Sequence, residues 1–236
     1  MKLLVAIATY NEIENLPTLV PAIRAQLPNA DVLVVDDNSP DGTGQWCDEE
    51  AARSPWFSVI HRAGKLGLGS ASWTAMQTSI ERGYDWLATL DADWSHPPEA
   101  LPRMIAASSN VDLVIGSRYC HGGEIHGWPL GRRVVSRVMN VATRAALGTP
   151  VRDASGACRL YRVEKLAELD FGDLKATGYA YLEEILWQLH RRGARFAEVP
   201  IAFTDRRAGA SKVGVNEAVG KVKVLARLAG RRLRGD

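Results

Sequence analysis

Apolar residues along this chain fall into short runs separated by longer amphipathic stretches. The runs at 3–8, 32–35, 57–60, 86–90 and 113–115 have the length and aliphatic content of buried parallel strands. Between them, 13–27, 44–53, 68–82 and 98–107 carry apolar residues at helical spacing. This β-α alternation across the first 117 residues predicts an α/β fold, a mostly parallel central sheet flanked by helices on both faces. Such sheets bind ligands beyond the carboxyl ends of their strands. Chemistry is therefore expected in the residues that directly follow each run.

Three of those strand ends are polar. Thr9-Tyr10-Asn11-Glu12 follows the first run, Asp36-Asp37-Asn38-Ser39-Pro40-Asp41-Gly42-Thr43 the second, and Asp91-Ala92-Asp93-Trp94-Ser95-His96 the fourth. Asp41-Gly42-Thr43 reads as turn and helix-cap chemistry. Asp91 and Asp93 are different, because residues two apart at an extended strand end point to one side and can place both carboxylates on one ion. Magnesium or manganese, held by few protein oxygens with phosphate oxygens completing the shell, is the cation such a pair suits. His96, next to Pro97 and Pro98, reads as a turn or supporting residue rather than a metal ligand. The chain lacks both G-x-G-x-x-G after its first strand and G-x-x-x-x-G-K-[ST] anywhere, which removes the dinucleotide-binding and P-loop readings.

Beyond residue 117 the alternation stops. Gly116-Ser117-Arg118-Tyr119 leads into a loop with Gly122, Gly123, Gly127 and Pro129, and then 131–147 predicts a helix with four arginines and no acid. Its apolar residues, Val134, Val135, Val138, Met139, Val141, Ala142, Ala145 and Ala146, form a stripe that can either pack on the core or lie at a membrane surface. The stretch 213–233 repeats this combination of apolar face and basic flank. Charge follows the same division: residues 206–236 hold nine Lys or Arg against two acids, so the remaining 205 residues are net acidic within a total of +2. That asymmetry points the carboxyl-terminal part toward an anionic surface. With 46% hydrophobic and 24% charged residues, the composition is that of one globular domain. No uninterrupted apolar run is long enough to span a bilayer, and the amino terminus lacks a signal-peptide pattern, so a cytoplasmic or peripheral protein is expected. Cys47, Cys120 and Cys158 are far apart and read as packing residues.

Together these motifs resemble family 2 glycosyltransferases, and within them the dolichol-phosphate or polyprenol-phosphate mannose synthases. The segments that carry the resemblance are ATYNEIENL, VLVVDDNSPDGTG, GLGSAS, LDADWSHPPE, VIGSRY, GWPLGRRVVSR, DASGACRLY at 153–161, GYAYLEE, and VPI ahead of DRRAGASK at 205–212. The resemblance implies a GT-A fold over 1–236, with 1–117 as the nucleotide-sugar half and 118–236 as the acceptor half carrying the interfacial helices. Ala8, Tyr10, Glu12, Val35 and Asp37 match nucleotide-contacting positions, and Asp91, Ala92 and Asp93 match the metal and diphosphate site, with Ser95 near the metal. Arg118 and Arg133 match residues for acceptor or diphosphate phosphates, and Arg206 and Lys212 match cations that close over the substrates. Ala8 stands where the family usually has proline, and Leu182 where relatives often have glutamine.

The implied reaction is inverting transfer of mannose from GDP-mannose to a polyprenyl phosphate on the cytoplasmic face of a membrane. A UDP-sugar donor is the nearest rival. The basic helices or a membrane-anchoring partner protein would bring the enzyme to its lipid, and no nucleic-acid partner is expected. Two other classes compete. A haloacid-dehalogenase phosphatase also uses D-x-D-x-[ST], which Asp91, Asp93 and Ser95 spell, but that motif follows a first strand and would leave Glu12 and Asp37 idle. A non-catalytic binder using the basic carboxyl terminus leaves the converging carboxylates unexplained.

Overall fold

The structure, a computed structural model, describes residues 1–176, 178–205 and 215–234. Along the chain the elements are β1 (Leu3–Thr9), α1 (Leu16–Gln26), β2 (Asp31–Asp36), α2 (Thr43–Arg53), β3 (Phe57–His61), α3 (Leu68–Glu81), β4 (Trp86–Asp91), α4 (Ala100–Ala106) and β5 (Leu113–Ser117). There follow β6 (Glu124–His126), α5 (Leu130–Leu147), β7 (Arg159–Arg162), α6 (Val163–Ala167), α7 (Tyr181–Arg191), β8 (Phe196–Pro200), β9 (Ala202–Thr204) and α8 (Val215–Arg234). All five expected strands are present, and their helices fall between them. The first helix opens at Leu16 rather than 13, because Ile13 and Glu14 stay in the turn and Pro17 is placed in the first helical turn, where its missing N–H costs nothing.

Seven strands form the main sheet in the order β3-β2-β1-β4-β7-β5-β8. Every pairing is parallel except those of β7, which runs antiparallel to both β4 and β5. Alternate residues of β1 enter two cores: Leu4 and Ala6 face Met76 of α3 and Ile185 of α7, while Leu3, Val5 and Ile7 face Ile23 of α1 and Met104 of α4. The sheet is therefore covered on both faces. A smaller cluster joins Leu147 of α5, Trp187 of α7 and Leu225 and Leu228 of α8.

The reversed direction of β7 has a local consequence. Its amino-terminal approach, 153–158, arrives at the same sheet end as the carboxyl ends of β4 and β5. Arg159, the first residue of β7, is fully buried there. Its guanidinium donates to three carbonyls, from Nε to Gly156 at 2.8 Å, from Nη1 to Leu182 at 2.9 Å and from Nη2 to Ala154 at 2.6 Å. One side chain thus ties the loop before β7 to the first turn of α7.

Helix α5 inverts the usual burial pattern. Leu130, Val134, Val135, Val138 and Val141 are exposed, Val141 by 64% and Leu130 by 77%, whereas the polar Asn140 and Thr143 are buried with Leu147. Asn140 meets the core side through hydrogen bonds to Ser155, its Nδ2 lying 3.1 Å from Oγ. Of the two fates open to the apolar stripe, the structure gives exposure.

Replacing Arg159 with leucine strands three buried carbonyls, each worth about 1–3 kcal/mol when unsatisfied. The expected loss of stability is about 3 kcal/mol or more, read as a lower urea midpoint at unchanged slope. A loss under about 1 kcal/mol would show that Arg159 does not hold the β7 approach.

Candidate active site

The carboxyl ends of β1, β2 and β4 open into one cavity of about 420 Å³. Ala8, Tyr10 and Glu12 line it from β1, Asp37 from β2, and Asp91, Ala92 and Asp93 from β4. Seven of the residues matched to donor or metal binding therefore meet in one space. Val35 does not line it; its side chain is fully buried in the core cluster that includes Ala75 and Met76.

Each carboxylate is set by local backbone chemistry. After β1 the chain turns through Asn11 at φ 59°, a left-handed conformation that asparagine tolerates. The turn is fixed from outside: Ser39 Oγ accepts from Asn11 N, Thr43 Oγ1 from Glu12 N, and Asp41 Oδ2 from Ile13 N. Asp41 also accepts from Thr43 N at 3.0 Å, so the turn role expected of it holds and extends to bracing the neighbouring loop, while the cap position of α2 falls to Gly42. Asp37 Oδ2 accepts from Gly67 N at 3.0 Å, and its Oδ1 lies 3.1 Å from Arg62 Nε. Through these contacts Asp37 anchors the 65–68 segment that forms another wall of the cavity.

At the end of β4, Trp94 adopts φ 64°, an unfavourable value for a bulky residue that costs about 1–2 kcal/mol. The turn brings Ser95 N to Asp93 Oδ1 at 3.1 Å. Ser95 itself is buried, and its Oγ has no hydrogen-bond partner among the described residues. His96 is buried behind Asp91, with Nδ1 accepting from Asp91 N at 3.2 Å. Burial holds the imidazole below its ordinary pKa despite the nearby Asp91 and Asp93, so the neutral ring with its proton on Nε2 supports the turn. No cluster of three or more His, Cys, Asp or Glu side chains with metal-binding geometry occurs among the described residues.

The arginines are placed differently from the carboxylates. Neither Arg118 nor Arg133 lines the cavity. Arg118 is committed to Asp153 of the β7 approach, from Nε to Oδ2 at 2.8 Å and from Nη2 to Oδ1 at 2.7 Å, while its backbone N donates to Oδ2. The aromatic rings of Tyr119, Trp128 and Phe203 surround the guanidinium. Arg133 is exposed on α5 and donates from Nε to the Trp128 carbonyl at 3.1 Å. Arg206 and Lys212 lie outside the described residues.

Lys65, Leu68 and Tyr179 also line the cavity, although sequence reasoning assigned them no role. Lys65 Nζ sits 4.2 Å from the centre of the Tyr10 ring, adding a cation to a site rich in carboxylates. The glycine-rich GKLGLG run after β3 and the GYAYLEE motif were their signals in the sequence.

Residues 4–170 match the family described as Glycosyl transferase family 2, and the chain belongs to that family. Its architecture is of the GT-A type. The chain is 43% identical over 222 residues to undecaprenyl-phosphate mannosyltransferase of Micrococcus luteus, covering 93% of this chain and 91% of that one. It is 42% identical over 224 residues to polyprenol monophosphomannose synthase of Mycolicibacterium smegmatis, covering 93% and 84%. In fold it resembles glucosyl-3-phosphoglycerate synthase from Mycobacterium tuberculosis, solved with Mn2+ and UDP, with a TM-score of 0.67 and 20% identity over 98% of this chain and 79% of that one. A mannosyltransferase from Pyrobaculum calidifontis, solved with GDP-Man and Mn2+, aligns with a TM-score of 0.61 and 19% identity over 99% and 64%.

The Arg118–Asp153 pair generates a pH prediction. Burial alone would raise the Asp153 carboxyl, but the charge and hydrogen bonds of Arg118 outweigh it and hold the pKa below its ordinary 3.8. A depressed folded pKa contributes stability that is fully present above the unfolded value and is lost as pH falls through the folded one. Asp153→Asn is therefore expected to lose about 3–5 kcal/mol at pH 7, where it strands a buried guanidinium, with the gap to wild type narrowing below about pH 4. Urea midpoints at pH 7 and pH 3 test this; an equal gap at both would contradict the charged pair.

Proposed function

We propose that this chain transfers mannose from GDP-mannose to a polyprenyl phosphate at a membrane surface, with inversion at the anomeric carbon and with Mg2+ or Mn2+ at Asp91 and Asp93. One observation carries the reading: Asp91 and Asp93 share a cavity with Tyr10, Glu12 and Asp37 in a chain about two-fifths identical to two polyprenyl-phosphate mannosyl enzymes. The donor set suits such a cation. Two carboxylates two residues apart leave coordination positions for phosphate oxygens, and Ser95, whose N donates to Asp93, carries a buried Oγ without a hydrogen-bond partner among the described residues. A divalent cation there supplies positive charge to a departing nucleoside diphosphate.

The protein's own groups do the rest by placement. Ala8, Tyr10, Glu12 and Asp37 form the nucleotide side of the cavity, where Asp37 orders the 65–68 segment and Lys65 brings a positive charge. The attacking oxygen belongs to a phosphate monoester that is already largely ionised near pH 7, so no carboxylate needs a strongly raised pKa to serve as base. Arg118 and Arg133 are the proposed contacts for the acceptor phosphate, with Asp153 acting as the positioning residue for Arg118. Arg206 and Lys212 are proposed as the cations that close over the substrates.

Access to a lipid acceptor is supported by the exposed valines of α5. No described helix is long and apolar enough to cross a membrane. An apolar face flanked by Arg132, Arg133, Arg137 and Arg144 suits a helix lying in the interface of the cytoplasmic leaflet. A separate anchoring protein would add to this attachment, and no nucleic-acid partner is proposed.

Radiolabelled sugar transfer to a short polyprenyl phosphate tests the reading with GDP-mannose, UDP-glucose and UDP-N-acetylglucosamine, each with Mg2+ or Mn2+ and with chelator. Mannosyl lipid is expected from GDP-mannose alone, abolished by chelator and reduced at least about a hundredfold by Asp93→Ala. Product from a UDP-sugar would overturn the donor, and full activity in chelator would overturn the metal. Val138→Asp is expected to release the protein from zwitterionic vesicles in a flotation assay while leaving transfer to a detergent-dispersed acceptor within about twofold. Unchanged flotation would contradict the role of α5.

A further inference from the structure

A second cavity, of about 280 Å³, lies along the edge of the buried face of α5, between that helix and the segments carrying Tyr119 and Arg152, and shares no lining residue with the first. Tyr119, Arg137, Asn140, Val141, Arg144 and Arg152 line it. Three of these six are arginines and none is an acid. Among the described residues, none of the three guanidinium groups forms an ion pair, and no carboxylate lines the space on which they converge. The other polar groups are already engaged: Tyr119 Oη donates to Ser136 Oγ at 2.6 Å, and Asn140 is held by Ser136 and Ser155.

The walls are braced rather than loose. Glu198 accepts from Arg152 N and Asp153 N, both at 2.9 Å, which fixes the segment carrying Arg152 against β8. Asn140, buried on α5, receives Ser155 N at 3.3 Å, which fixes the same segment against the helix. Arg152 therefore faces Arg137 and Arg144 across a cavity whose two sides are tied together.

The position of the cavity identifies its ligand. At about 100° per residue, Arg133, Arg137 and Arg144 fall in one stripe of α5, between the buried Asn140 side and the exposed Val134–Val138–Val141 side. Val141 belongs to both, lining the cavity and standing 64% exposed on the apolar face. A leaflet in contact with the valines places its phosphate layer at the height of the arginine stripe. Planar guanidinium forks match phosphate oxygens bidentately.

We infer that Arg137, Arg144 and Arg152 form a binding site for the phosphate of an anionic phospholipid headgroup, separate from the donor cavity, that docks the enzyme on acidic regions of the membrane. This inference rests on the membrane reading of α5. The site sets where on the membrane the enzyme works, while the valines supply the attachment itself.

Flotation of the full chain with phosphatidylcholine vesicles, and with the same vesicles containing phosphatidylglycerol, tests it. Wild type is expected to bind the anionic vesicles about tenfold more tightly. The double variant Arg144→Lys and Arg152→Lys keeps the net charge but loses the forks; it is expected to retain phosphatidylcholine binding and lose most of the preference, and Arg137→Lys, made alone, part of it. Retained preference in both variants would overturn the site in favour of diffuse charge, leaving the membrane reading intact. Absence of wild-type binding to either vesicle would overturn both. Inorganic phosphate at millimolar concentration is expected to leave the preference unchanged, and its abolition would reassign the site to a free phosphate.

Discussion

The buried pair of Arg118 and Asp153 is the contact on which the arrangement of this molecule turns. Arg118 leaves the carboxyl end of β5, and Asp153 sits on the approach to β7. They can meet only because β7 runs antiparallel between β4 and β5, so that its entry shares a sheet end with their exits. A charge taken out of water needs such a partner, and the pair stitches the second half of the chain to the sheet end where the first half forms its cavity. Arg159, buried six residues beyond Asp153, extends the same stitch by joining the carbonyl of Ala154 to that of Leu182 in α7.

Polar groups at the sheet end divide into those that build the site and those that face into it. Asp41, Thr43 and Ser39 spend their hydrogen bonds on the turn after β1, and His96 on the backbone of Asp91. These fixed contacts let Trp94 persist in a left-handed conformation and Asp93 present its carboxylate to the cavity. The same division explains α5. Its Asn140 is hydrogen-bonded to Ser155 and its Thr143 is buried on the same protein-facing side, which leaves its valines facing outward. Under the proposed transfer to a lipid acceptor, a chain with no membrane-spanning helix among its described residues has a use for that inversion.

Much of this was legible in the residues. Apolar runs of three to six residues found β1 to β5: β1, β2, β4 and β5 are buried on both faces and read as continuous aliphatic sequence, whereas the edge strand β3 is only partly buried. The alternating acids at the end of β4 stood out, because two-residue spacing at a strand end carries a geometric meaning, and the structure places Asp91 and Asp93 in one cavity. β7 was not legible: its sequence is Arg-Leu-Tyr-Arg, and nothing in its composition says that the first arginine is fully buried. The bond between Arg118 and Asp153 spans 35 residues and depends on that unseen strand, so the arginine read as a phosphate contact while its carboxylate partner went unnoticed. Lys65 escaped for a similar reason, since a lysine in a glycine-rich loop gains meaning only when the loop folds over Tyr10. The stripe on α5 was visible, but periodicity gives the angle of an apolar face and not the side of the helix that meets the protein.

The central claim is that Asp91 and Asp93 hold a divalent cation chiefly in company with a nucleoside diphosphate, because two protein carboxylates leave most of the coordination shell to phosphate oxygens. Calorimetric titration of Mn2+ into the protein, with and without saturating GDP, measures this directly. The account predicts weak binding alone, an affinity higher by about tenfold or more with GDP, and loss of that gain in Asp93→Asn. Equal Mn2+ affinity with and without GDP, or a gain that survives in Asp93→Asn, would contradict it.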